Sequence, residues 1–163
     1  MEKILLILAT AIFLLSACNN YGKKVIVNST SEVFYKGDGV TGADAKRLGK
    51  FLLRQGYFDT TTEKSVQLSK ENNQYVVKFV VSQEKLTQNK DYVLLGFKVW
   101  QMWISQNVFN NAKTKVVLTD ENLKDVQEVG EFTAEEKETL KQLENSAEDS
   151  SAEKQKSTES NDQ

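Results

Sequence analysis

Two stretches of helical periodicity, each followed by a run of alternating β-branched residues, set what this 163-residue chain can fold into. From Gly42 to about Gln55 the apolar positions Ala45, Leu48, Gly49 and Leu52 recur at three and four, with Lys46, Arg47, Lys50 and Arg54 on the opposite side. That spacing predicts an amphipathic helix. Thr41 as N-cap and Asp44 three residues on predict a capping box. Gly56 stands where a left-handed cap ends a helix, with Tyr57-Phe58 folding back as apolar contacts. The second helical stretch, 92–109, carries two apolar stripes. One runs Tyr92, Leu95 or Gly96, Val99, Met102 or Trp103, and the other Val93, Phe97, Trp100, Ile104, Val108. The first helix leads to Ser65-Val66-Gln67-Leu68-Ser69 and the second to Lys115-Val116-Val117-Leu118-Thr119, so the two halves read as a pseudo-repeat.

Between them, Lys64 to Ser69 and Tyr75 to Val81 flank the polar Lys70-Glu71-Asn72-Asn73-Gln74 and predict a hairpin. Its second strand is apolar on both sides, which suits a mid-sheet position. Upstream, Val25-Ile26-Val27 and Glu32-Val33-Phe34-Tyr35-Lys36 predict one broken strand or two short ones. The intervening Asn28-Ser29-Thr30 matches a glycosylation acceptor but reads as a bend. Asp120-Glu121-Asn122 turns into Leu123–Val129, a short helix or an edge strand. The order strand, helix, strand, strand, helix, strand leads us to expect an α+β domain over 25–130: two helices packed on one face of an antiparallel sheet, in ferredoxin-like split βαβ order. The run from Glu32 to Val81 resembles a module of bacterial envelope and membrane proteins, a likeness that carries no activity with it. Residues 131–163 form an acidic low-complexity tail expected to be disordered, with at most a frayed helix near Ala134 to Leu143.

The amino terminus concerns location. After Lys3 the run from Ile4 to Leu15 is apolar except for Thr10, and it falls short of the ~20 residues a membrane-spanning helix needs. Residues 1–17 therefore read as a signal peptide. The run ends in Leu15-Ser16-Ala17-Cys18, which resembles the lipobox of bacterial lipoproteins. That resemblance implies cleavage before Cys18 and acylation of its thiol and its new amino group. The mature protein would then be held by lipid to the cell membrane or outer membrane, facing periplasm or cell exterior, with 18–24 as tether. An ordinary cleavable signal and an uncleaved amphipathic start are the alternatives the residues leave open. Cys18 is the single cysteine, so an internal disulfide is excluded.

Charge and composition narrow the function classes. Residues 19–130 carry 16 Lys/Arg against 12 Asp/Glu, and residues 131–163 carry 4 against 10. The mild excess in the body lacks the clustered basic stripe that nucleic-acid binding needs. The chain has no histidine, and with its one cysteine assigned to lipid the commonest general base, thiol nucleophile and zinc ligands are missing. Asp59 and Asp120, in equivalent turns of the two halves, are the carboxylates an enzyme would draw on, and both read as solvated turn residues. Gly37-Asp38-Gly39-Val40-Thr41-Gly42 fits the GxGxxG spacing of a dinucleotide fingerprint. The βαβ units that such a fold requires are too few here, so it reads as a glycine-rich turn into a helix.

We therefore expect no catalytic residues, no cofactor and no metal. The expected protein is a noncatalytic, lipid-anchored binding module with an envelope protein as candidate partner. Its candidate contact stripe is Phe97, Trp100 and Ile104, a stripe that either widens the core or docks a partner. Lys46, Arg47, Lys50 and Arg54 are candidate headgroup contacts. The alternative is a carrier or sensor of a small apolar ligand held between sheet and aromatic helix.

Overall fold

The computed structural model describes residues 21–142. The expected signal peptide, Cys18 with the start of its tether, and the tail beyond residue 142 lie outside the described residues. The chain divides after Gly130 into two units. In the second, the described residues form a helix over 134–142, opened by a reciprocal cap: Thr133 N–H donates to the Glu136 carboxylate at 2.8 Å and Glu136 N–H to Thr133 Oγ1 at 3.2 Å.

In the first unit, strands β1 (Lys23–Ile26) and β2 (Ser31–Tyr35) precede helix α1 (Gly42–Arg54). Strands β3 (Lys64–Glu71) and β4 (Gln74–Val80) precede the short helix α2 (Gln83–Gln88) and the long helix α3 (Lys90–Val108), and β5 (Thr114–Thr119) and β6 (Asp125–Glu128) close the sheet. Local chemistry sets these limits. Thr41 and Asp44 form the expected capping box, the Asp44 carboxylate accepting from Thr41 N–H at 2.8 Å. Past Gln55, Gly56 takes φ +75°, and Tyr57 N–H donates to Leu52 carbonyl at 2.9 Å, which closes the helix end. Asn72 and Asn73 both sit at positive φ (47° and 62°), as a two-residue β-hairpin turn between β3 and β4 demands.

The six strands lie in sequence order, and the sheet is mixed. β2 pairs with β3 and β4 with β5 in parallel, while β1–β2, β3–β4 and β5–β6 are antiparallel. This overturns the expected antiparallel sheet in ferredoxin-like split order carrying two helices: with α2 and the helix over 134–142, the described residues hold four. The expected strand, helix, strand, strand, helix, strand order is present, with the unexpected α2 before α3 and strands at both ends of the chain order; the pairing differs because each helix–strand loop fastens the returning strand beside the one that fed the helix. In the first half the Asp59 carbonyl accepts from Asn28 Nδ2 (3.0 Å) and Thr30 Oγ1 (2.7 Å), and Lys64 N–H donates to the Thr30 carbonyl (3.0 Å). These bonds put Lys64 level with Ser31. In the second half Tyr75 N–H donates to the Lys113 carbonyl (2.9 Å), and the Tyr75 ring stacks on Phe109 at 3.8 Å, so Thr114 aligns with Tyr75. A split arrangement would leave a strand's width between these pairs, and none of these bonds spans it.

Alternation assigns one sheet face to Val33, Val66, Leu68, Val77, Phe79, Val116 and Leu118, and these residues join Ala45, Leu48 and Leu52 of α1 and Ile104 and Val108 of α3 in one core. Both long helices therefore lie on that face. At Gly49, α1 packs against the chain after β1: a Cβ there would stand 2.5 Å from Val27 Cγ2. Gln101, an interior polar residue of α3, accepts from Val116 N–H at 2.8 Å and donates to the Gly130 carbonyl at 3.1 Å. It thereby closes the end of the β5–β6 ladder. We expect Gln101→Leu to lower stability by about 1–3 kcal/mol, the cost of a stranded buried amide, measured by urea unfolding. An unchanged midpoint would mean that the ladder end is satisfied without it.

Candidate interaction surface

Helix α3 is apolar on more sides than its packing uses. Only Gln101, Ile104 and Val108 are buried among its 19 residues. Toward the sheet it turns the stripe Phe97, Trp100, Ile104. Ile104 is fully buried, Phe97 meets Phe79 at 5.1 Å, and Trp100 meets Tyr57 at 5.8 Å and Phe51 at 6.2 Å edge-on. The candidate contact stripe is thus brought together, but as the margin of the core. Burial pushes the Tyr57 phenol above its ordinary pKa, in keeping with this dry aromatic cluster.

The outward stripe is the other one. Tyr92 is 82% exposed and Trp103 40%, Gly96 is exposed with open space at its Cβ position, and Leu95, Val99 and Met102 are half-buried between them. Hydropathy alone does not rank two apolar stripes. The polar Gln101 and Ser105 hold backbone groups, Gln101 accepting from Val116 N–H and Ser105 Oγ donating to the Ala112 carbonyl at 2.8 Å.

Beside α3, the outer side of α1 exposes Lys46, Arg47, Lys50 and Arg54 together with Leu53. Arg47 is paired with Asp44. Burial raises the Asp44 carboxyl, but its bonds from Thr41 and the Arg47 guanidinium outweigh that and hold it below the ordinary value. A shallow groove of about 480 Å³, lined by Arg47, Lys50, Phe51, Leu53, Arg54 and Asn107, runs between the carboxyl ends of the two helices. The helix layer so combines an aromatic stripe with a cationic one.

The residues that catalysis would draw on are engaged elsewhere. The Asp59 carboxylate accepts from Lys64 Nζ (2.6 Å), Thr61 N–H (2.8 Å) and Thr62 N–H (2.8 Å), and these bonds hold it well below the usual carboxylate range. Its folded-state pKa is depressed, so its stabilising effect is complete above the unfolded value of about 3.9 and fades as the pH falls below it. The stability gap between wild type and Asp59→Asn should accordingly be widest at neutral pH and narrow toward pH ~3, read from urea midpoints at each pH. A gap independent of pH would show that the clamp is not electrostatic.

Asp120 Oδ1 accepts from Asn122 and Lys124 N–H, both at 2.9 Å, within the β5–β6 turn. The glycine loop does stand between a strand and a helix that returns to a parallel neighbour, a context the sequence reading did not expect. Its chemistry is nevertheless that of a cap. Asp44 takes the Thr41 N–H that a phosphate would use, and Lys70 lies against Gly39, 3.1 Å from where a Cβ would stand. Among the described residues no group of three His, Cys, Asp or Glu is placed to hold a metal ion, and no helix is long and apolar enough to cross a membrane.

Residues 24–131 match the model of the AF_1994_N family N-terminal domain. No curated protein and no solved structure matches the chain.

Proposed function

This chain belongs to the AF_1994_N family through its N-terminal domain, and we propose that it is a lipid-anchored, noncatalytic envelope protein whose mixed-sheet domain binds another macromolecule through its helix layer. The observation that carries the binding reading is the outward stripe of α3, where Tyr92 and Trp103 stand exposed around Leu95, Val99 and Met102. Aromatic residues on a rigid helix are the side chains that anchor protein interfaces, since they bury large area at small entropic cost. The anchor reading rests on the lipobox-like Leu15-Ser16-Ala17-Cys18 behind a short apolar run. A membrane-held domain meets its partners at raised effective concentration, so a modest surface suffices.

A photo-crosslinking residue at position 96, exposed within the same stripe with open space at its Cβ position, tests the binding reading in the host envelope. We expect one saturable adduct, lost in a Tyr92→Ser/Trp103→Ser variant whose unfolding midpoint is unchanged. Adducts that are diffuse, or that persist in the double variant, would overturn it. The carrier alternative draws less support. The space between sheet and α3 that would hold an apolar ligand is filled by Phe79, Phe97, Trp100 and Tyr57 in ring-to-ring contact.

A further inference from the structure

We infer that the sheet face opposite the helices is turned toward the bilayer, so that α1 and α3 face away from it. This rests on the lipid anchor at Cys18 proposed above and adds the orientation of the domain. Tyr21, three residues after Cys18, is fixed to that face. Its carbonyl accepts from Gln67 Nε2 at 3.0 Å, and its ring meets Phe34 at 5.5 Å. Register puts Phe34 and Gln67 side by side on the face away from the core. The next residue locks the path: Gly22 has φ +88°, and a Cβ there would stand 2.4 Å from the Tyr35 carbonyl oxygen.

Three residues fully extended span at most about 10–11 Å. Gln67 lies on the third strand, roughly 10 Å from the β1 edge at ~4.8 Å per strand. The helix layer beyond the sheet adds a further thickness of about 10 Å. An acyl-bearing Cys18 therefore cannot reach the plane of the outer helix surface while Tyr21 stays in place. The chemistry of the inward-turned face agrees. Lysines on it are paired with carboxylates, Lys24–Glu32, Lys78–Asp125 and Lys115–Glu128, so it presents no cationic stripe like that of α1. The cations Lys46, Lys50 and Arg54 of α1 are then presented outward, with the aromatic stripe of α3, to a partner in the envelope.

The test uses the mature acylated chain reconstituted in phosphatidylglycerol–phosphatidylethanolamine vesicles that carry a headgroup nitroxide. With the Cys18 thiol blocked by lipid, a thiol introduced by Ser65→Cys, on the sheet face, or by Lys50→Cys, on α1, takes a fluorophore specifically. We expect the label at 65 to lose its fluorescence and the label at 50 to keep it. Inserting about ten Gly/Ser residues after Asn20 should erase the difference, because the tether then spans either way. Quenching at 50 alone, or equal quenching at both positions without the insertion, overturns the orientation; a difference that survives the insertion overturns the tether as its cause. Intact mass of the same preparation separates the premise: a chain with no acyl mass removes the anchor, and the orientation with it.

Discussion

Phe79→Ala is expected to lower the unfolding free energy by about 3–5 kcal/mol, the range for truncating a fully buried aromatic. Phe79 has no exposed surface, and it occupies β4 between Val66 of β3 and Leu118 of β5. Its ring meets Tyr57 at 5.0 Å and Phe97 at 5.1 Å, which ties the loop after α1 to the first half of α3. Both strand–helix–strand units thus share this one ring. The cavity it leaves has little means of collapse, since the strands on each side are held by the ladder. A thermal or urea midpoint shifted by less than about 1 kcal/mol would show that the two units stand independently.

The second large effect separates the two faces of α3. Ile104→Ala should cost about 2–5 kcal/mol, as for other fully buried aliphatics, whereas Trp103→Ala on the neighbouring outward position should stay within about 0.5 kcal/mol. Trp100→Ala should fall between them, because Trp100 is half-buried yet touches Tyr57, Phe51 and Trp103. Chemical denaturation of the three variants is sufficient to read this order. Equal losses at 103 and 104 would mean that the outward stripe is covered by the chain itself, and would withdraw it as a binding surface.

Much of the local structure could be read from residue spacing because the forces that set it are local. Thr41 and Asp44 announced the start of α1 and Gly56 its end, through bonds made within a few residues, and the polar Lys70-Glu71-Asn72-Asn73-Gln74 announced the hairpin, whose turn is the Asn72-Asn73 pair within it. The mid-sheet position of β4 followed from its apolar character on both sides. Strand pairing was not legible in the same way. The parallel neighbour of β2 is chosen by bonds across 29 and 31 residues, in which the Asp59 carbonyl accepts from Thr30 and Asn28, and Asp59 looks from its neighbours like an ordinary turn residue. The short helix Gln83–Gln88 also escaped notice, being a single polar turn capped by Ser82. At the surface, the basic side of α1 was visible as a charge pattern. Which of the two apolar stripes of α3 meets the sheet was not legible, because both are apolar and the polar Gln101 and Ser105 serve the interior, where Gln101 accepts from Val116 N–H and Ser105 donates to the Ala112 carbonyl.

The central claim is that this domain works at a membrane through Cys18. The most direct measurement is the intact mass and detergent partitioning of the protein from its host beside Cys18→Ala. The account predicts a chain beginning at Cys18 with a mass increase of several acyl groups, partitioning into detergent, and loss of both properties in the variant, since several acyl chains at ~0.8 kcal/mol per buried CH₂ hold a protein firmly. An unmodified mature chain that stays in the aqueous phase would contradict it.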